Sequence, residues 1–327
     1  MNFLSDLHEN AAIFKGGVKK RRMPPLSAGK KARINLLALG DVGGFLLTGL
    51  MLLGGEVVGS VGIYDIKREN IERYEAEMNQ VAYPCGIGGF PEIVGLRGED
   101  DLFDCDVFVF CASKEVPAVG SGVADVRMAQ FEGNRKIIEY YARLAVSKAF
   151  GGIFAVVSDP VDPLCKAAYM ASGLEQQQFQ GFGLGVMNGR AMYYARREKK
   201  FARYIDEGRV FGPHGRDLVV ADGISNYNDE ISRELTEKVV DENIRIRQAG
   251  FKPFMAPALS SGALSLISML KGEWNYSSRF IGDGYDGAFF GALNRMTENG
   301  VEIENPPLPD ELYSRIKVAY ESVRSIV

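Results

Sequence analysis

The sequence has few of the residues that staple small secreted folds or cage metal ions: four cysteines and two histidines in 327 residues. Cys85, Cys105, Cys111 and Cys165 form no CxxC pair and show no metal-ligand spacing. That argues against a disulfide framework or a zinc site, and reduced thiols in a cytoplasmic protein are the expectation. No apolar run reaches the roughly 18–20 residues a membrane span needs. The stretch Phe45–Gly62 comes nearest, but glycines, Thr48, Glu56 and Ser60 interrupt it. The N-terminus lacks a continuous apolar signal core and carries Asp6 and Glu9, which transit peptides avoid. Neither sign of charge dominates: 38 Lys+Arg against 42 Asp+Glu leave a net charge of −4. A protein whose main task is coating nucleic acid is therefore excluded. With 46% apolar residues the chain can build a core, which excludes global disorder. The length suggests two domains.

Residues 1–33 read as a polar N-terminal extension. They contain Lys19-Lys20-Arg21-Arg22, then Pro24-Pro25 and Lys30-Lys31. An arm packing on a partner subunit, or a solvated tail, is expected there. From Ile34, short continuous apolar runs alternate with helical patterns. INLLAL, VVGSVGIYD, Asp106–Ala112 and Gly152–Ser158 read as strands, and Arg68–Gln80 and Met128–Phe150 as helices. Such alternation predicts a parallel sheet with crossover helices over residues 34–182. Residues 183–327 differ. Helical patterns cover Gly189–Ile205, Glu230–Gln248, Leu264–Leu270 and Leu308–Val327. Arg209–Val220 reads as strand and turn, and Gly282–Val301 as antiparallel strands. The fold class expected is α/β, a Rossmann doubly wound sheet followed by an α+β substrate domain.

INLLALGDVGG places Ala38, Gly40 and Gly43 at the three positions of a GxGxxG turn. Gly40 lets a backbone approach a pyrophosphate, and Gly43 lets the next helix pack on the strand. The helix N-terminus offers free N–H groups to the anion. Asp65 ends the following strand, where a carboxylate accepts from a ribose 2′-hydroxyl and repels a 2′-phosphate. NAD is thus favoured over NADP. The candidate cofactor-binding residues are Gly40, Asp41, Val42, Gly43 and Asp65, with Cys111 and Ala112 at the end of the VFVFCA strand.

From Ile34 onward the order of segments resembles the lactate/malate dehydrogenase family. The glycine turn is similar to the family's VGAGNVG. DVFVFCAS is followed by a loop, then Arg127 and, seven residues later, Asn134. VVSDPVDPL resembles ISNPVD, FGPHGRD resembles GEHGDS, and Met255-Ala256-Pro257 resembles the YAP of the malate branch. The resemblance implies hydride transfer between NAD and a 2-hydroxy acid, in a homodimer or homotetramer. It makes His214 the acid/base, a role suited to a side chain titrating near neutrality. It makes Arg127 the group that polarises the substrate carbonyl, and Asn134 a substrate-binding residue. The loop from Ser113 to Arg127 should fold over the ligand.

Three departures stand against that pattern. Asn188 occupies the position of the catalytic Asp. Asp159 stands where the family has the Asn of SNP, so carboxylate and amide look exchanged within one site. Asp159 is therefore expected to supply the charge beside His214. Ala191 replaces the arginine that forks onto the substrate carboxylate, and Arg190 is its adjacent substitute. Lacking an arginine at the malate-selecting position of the loop, the chain is not expected to turn over malate. The alternative reading is a catalytically weakened NAD(H)-binding relative that acts as sensor or scaffold.

Overall fold

The computed structural model describes residues 1–15, 29–86, 89–114 and 126–326, with the side chains of residues 126–129 outside the description. The first half alternates β1 (Ala32–Leu37), α1 (Asp41–Leu53), β2 (Val58–Tyr64), α2 (Arg68–Asn79), β3 (Glu92–Gly95), β4 (Val107–Phe110), α3 (Val126–Ser147), β5 (Ile153–Val156), α4 (Val161–Ser172) and β6 (Phe179–Gly181). These strands pair in parallel in the spatial order β3-β2-β1-β4-β5-β6, the doubly wound arrangement. Burial explains the continuous apolar runs. Val107 and Val109 of β4 face a core built with α1 and α2, while Phe108 and Phe110 face a second core built with α3 and α4. Both faces of the strand are covered, so it has no polar side to show.

The second half contains α5 (Gly185–Arg197), α6 (Tyr204–Glu207), β7 (Arg209–Phe211), β8 (Val219–Ala221) and α7 (Asp229–Gln248). A π-helical stretch, Pro257–Leu264, then runs into α8 (Ser265–Lys271), followed by β9 (Asn275–Asp283), β10 (Asp286–Thr297), β11 (Gly300–Ile303) and α9 (Asp310–Arg324). β9, β10 and β11 form an antiparallel meander, and β9 joins β6 antiparallel at Gly181–Ser278. One sheet therefore runs from the parallel half into the second half. Its seam is clamped by the buried Arg279, whose Nη2 donates to Gln180 Oε1 at 2.5 Å and whose Nε donates to Asn294 Oδ1 at 3.3 Å.

Several elements differ from the sequence reading. The helix expected over Gly189–Ile205 begins at Gly185 and breaks at Glu198, whose backbone is extended. α4 starts amid Pro160 and Pro163, residues that look like breakers. Pro160 is its N-cap and Pro163 lies in its first turn, where a missing N–H costs nothing. The N-terminal expectation also needs correction over residues 1–15. They pack on this chain's own second half, with Leu4, Leu7 and Ala11 buried against Phe290, Leu312, Ile316 and Tyr320. The basic cluster Lys19–Arg22 lies outside the described residues.

Candidate active site

The ends of the parallel strands bring the candidate residues together. Ala38 takes a left-handed φ of +77° to turn the chain out of β1. Gly40 caps α1, and the first intrahelical bond runs from Gly44 N to Gly40 O at 2.8 Å. The N–H groups of Asp41, Val42 and Gly43 therefore have no intrahelical acceptor and are available to an anion. A Cβ on Gly43 would lie 1.9 Å from Ala38 O, so only glycine lets α1 sit this close to the turn. A Cβ on Gly40 would meet no protein atom within 4 Å. It would instead fill the open mouth over the helix N-terminus. Asp65 is aimed at the same turn, because its oxygens accept from Leu39 N at 2.7 Å and Lys67 N at 2.9 Å. Cys111 forms the facing wall, its Cβ 3.6 Å from the position a Gly43 Cβ would take. Burial pushes its thiol well above the usual range, so it offers an apolar surface there, with Ala112 beside it. The open mouth, the free amides and the carboxylate at the next strand end fit the diphosphate and ribose of a dinucleotide.

The second cluster lies beyond β5. His214 sits in the loop between β7 and β8, which Gly212 (φ +99°) pins to the sheet by donating N–H to Gly291 O at 2.9 Å. His214 Nδ1 lies 2.9 Å from Asp159 Oδ1, in the loop between β5 and α4. The imidazole can come this close because residue 183 is glycine: a Cβ there would lie 2.9 Å from His214 Cβ and 3.0 Å from Val161 Cγ2. Ser261 of the π-helical stretch braces that segment. Its Oγ donates to Gly183 O and accepts from Val186 N, each at 2.8 Å. Sequence reasoning found neither Gly183 nor Ser261, since close packing and a brace across 78 positions leave no local pattern.

Asn134 is fully buried, and its amide is committed. Its Nδ2 donates to Asp159 O at 2.9 Å and to Ser113 Oγ at 3.2 Å, while its Oδ1 accepts from Lys114 N at 2.8 Å. It ties the loops after β4 and β5 to α3. Asn188 Oδ1 accepts from Tyr204 OH at 2.8 Å and makes no bond to the imidazole, in keeping with the expectation that Asp159 is the group beside His214. Ala191 is buried and carries no charge. Arg190, next to it, is buried to 9% exposure and, among the described residues, gives only Nη1 to the protein, to Val239 O at 3.2 Å and Met187 Sδ at 3.8 Å. Burial pushes its guanidinium down from the ordinary range, and Glu242 and Asp159 partly offset this. Arg127 lies in the first turn of α3, its side chain outside the described residues, as is the loop over 115–125. A separate cavity of about 700 Å³, lined by Arg216, Arg233 and Arg315 among others, includes neither His214 nor the glycine turn.

A doubly wound sheet, a glycine turn at a helix N-terminus and a carboxylate at the next strand end define a dinucleotide-binding α/β protein. Residues 32–181 match the family model for the lactate/malate dehydrogenase NAD binding domain. A malate dehydrogenase of Bacillus israeli is 23% identical over 91% of this chain and 98% of its own length. An L-lactate dehydrogenase of Staphylococcus saprophyticus is 22% identical over 86% and 91%. Among solved structures, a lactate dehydrogenase from a deep-sea metagenome library superposes with a TM-score of 0.72 at 20% identity, covering 90% of this chain and 98% of its own. Malate dehydrogenase of Cryptosporidium parvum gives 0.72 at 19% identity, covering 90% and 97%. Residues 32–181 are thus similar to the NAD binding domain of lactate/malate dehydrogenases, and NAD is the cofactor that such a domain holds.

Proposed function

We propose that the protein interconverts a small 2-hydroxy acid and its 2-oxo acid, with His214 as acid/base and Asp159 as the carboxylate that serves it. The observation that carries this reading is the 2.9 Å contact between His214 Nδ1 and Asp159 Oδ1. With Nδ1 engaged by the carboxylate, Nε2 is the nitrogen left to exchange a proton with the substrate. On oxidation it takes the hydroxyl proton, and on reduction it returns one. Asp159 fixes the tautomer and stabilises the imidazolium that forms. NAD, when bound, supplies the two-electron acceptor or donor. Gly40, Asp41, Val42 and Gly43 would hold its diphosphate, and Asp65 its ribose.

Arg190 is the proposed anchor for the acid group. Among the described residues its Nη2 and Nε have no hydrogen-bond partner, and a partly desolvated guanidinium binds a carboxylate strongly. Arg127 is the proposed polariser of the substrate oxygen, and a homodimer or homotetramer the proposed assembly. The test follows NADH absorbance with a panel of 2-oxo acids. Turnover that His214→Ala abolishes supports the reading. Tight NADH binding without turnover on any acid refutes it and favours an NAD(H)-binding sensor or scaffold.

A further inference from the structure

One acidic side chain stands in the dinucleotide cradle itself. Asp41 is the first residue of α1, beside the amides that would face a diphosphate. A carboxylate there suits the helix dipole but repels a dianionic ligand. The chain compensates from 211 positions away: Lys252 Nζ lies 3.3 Å from Asp41 Oδ2. Lys252 is not held there by chance. The segment that carries it rides along one stripe of α1, made of Asp41, Phe45 and Gly49 at four-residue spacing. The Phe254 ring packs edge-on against Phe45 at 5.2 Å between centroids. Phe254 N donates to Lys252 O at 3.1 Å, which fixes the lysine backbone relative to that ring. One turn further along, a Cβ on Gly49 would lie 2.6 Å from Ala263 Cβ and 2.9 Å from Leu259 Cδ2, in the π-helical stretch. The stripe begins in a close-packed interface and ends at the cradle, with Lys252 as its last contact. Its side chain is 80% exposed and that of Asp41 52% exposed, so both are free to meet a ligand.

We propose that Lys252 and Asp41 form a charge clasp at the mouth of the cradle, in which Lys252 is a diphosphate-binding residue supplied by the second half of the chain. Asp41 sets its resting position and penalises an anion whenever the lysine is absent. The proposal rests on the NAD-binding reading and adds a residue to it. It also makes cofactor affinity depend on the segment that continues into the brace on Gly183.

The test measures NADH affinity of the full chain by fluorescence titration and calorimetry, in low and in physiological salt, without substrate. Lys252→Ala is expected to weaken binding about tenfold in low salt and to flatten its salt dependence, as removal of one ligand-facing cation should. Asp41→Asn in the Lys252→Ala background is expected to recover most of that loss, and Lys252→Arg to retain affinity within about threefold. Thermal unfolding reports whether each variant folds, and both positions are exposed enough to tolerate change. Binding by Lys252→Ala within twofold of wild type overturns the proposal, as does failure of Asp41→Asn to restore it. Absence of NADH binding by the wild-type chain would instead sink the NAD-binding reading itself.

Discussion

Asp159→Asn probes the proposed acid/base pair most directly. The substitution keeps the size of the side chain and one oxygen acceptor, replaces the other oxygen by an NH2 donor, and removes the charge facing His214. A unit charge pair about 4 Å apart is worth about 4 kcal/mol at an effective dielectric of 20. The Asp159 side chain is 46% exposed and that of His214 16% exposed, so water screens part of this. A net loss of roughly 2–3 kcal/mol follows, or about 30- to 150-fold in kcat/KM. That is well short of the roughly 10⁴-fold cost of the same exchange in a buried serine-protease triad. The assay is NADH absorbance on the best 2-oxo acid, with NADH affinity measured alongside and expected to stay within twofold. A companion variant sharpens the result. Asn188→Asp should not rescue Asp159→Asn, because position 188 faces Tyr204 OH and not the imidazole. Activity of Asp159→Asn within threefold of wild type, or rescue by Asn188→Asp, would refute the assignment.

Gly43→Ala places a methyl 1.9 Å from Ala38 O, so the turn must open. Calorimetry should show NADH binding at least tenfold weaker, and thermal melts a loss of about 1–3 kcal/mol. Gly183→Ala pushes a methyl to 2.9 Å from His214 Cβ. A displaced imidazole should lower kcat about 10- to 100-fold while leaving NADH affinity unchanged, and loss of NADH binding instead would show that the effect is not local. Arg279→Ala leaves Gln180 Oε1 without its donor inside the β6–β9 seam and opens a cavity there. Urea titration should report a loss of about 3 kcal/mol or more, and a loss below 1 kcal/mol would show that the seam does not depend on this side chain.

The parallel half was legible because its strands are covered on both faces. A strand such as VFVF cannot hide polar residues, so its sequence announces it. The glycine turn was legible for the same kind of reason, since close approach of α1 to Ala38 leaves no choice at Gly43. β3 and β6 were not read. β3 is a four-residue strand at the sheet edge with exposed Glu92 and Val94, and β6 is three residues long with a glutamine and a glycine. Gln180 looks like a loop residue until Arg279 is found against it, and no local pattern reports a partner 99 positions away. Asn134 shows the converse limit. Its spacing from Arg127 was visible, but spacing does not reveal that both ends of its amide are already committed to protein atoms.

The exchange of carboxylate and amide makes sense once both positions are seen together. Tyr204 is fully buried, and burial holds its phenol far above the ordinary range, so it keeps its proton and offers it in a hydrogen bond. Asn188 Oδ1 accepts that proton without bringing a second charge into the cluster. Asp159, on the loop after β5, places its carboxylate 2.9 Å from the imidazole. Its backbone carbonyl is gripped by Asn134 and its segment leads directly into α4, so the carboxylate is carried by fixed structure. Arg190 is buried within electrostatic reach of the same carboxylate. A carboxylate at 188 would place a second negative charge beside the buried Tyr204 phenol. With an amide at 188, the described residues of the site keep the imidazole of His214, the carboxylate of Asp159 and the guanidinium of Arg190, to which Arg127 is the proposed addition. On the proposed reading these groups move a proton and hold a carboxylate, and Asn188→Asp in the wild-type chain is expected to lower kcat/KM on the best 2-oxo acid.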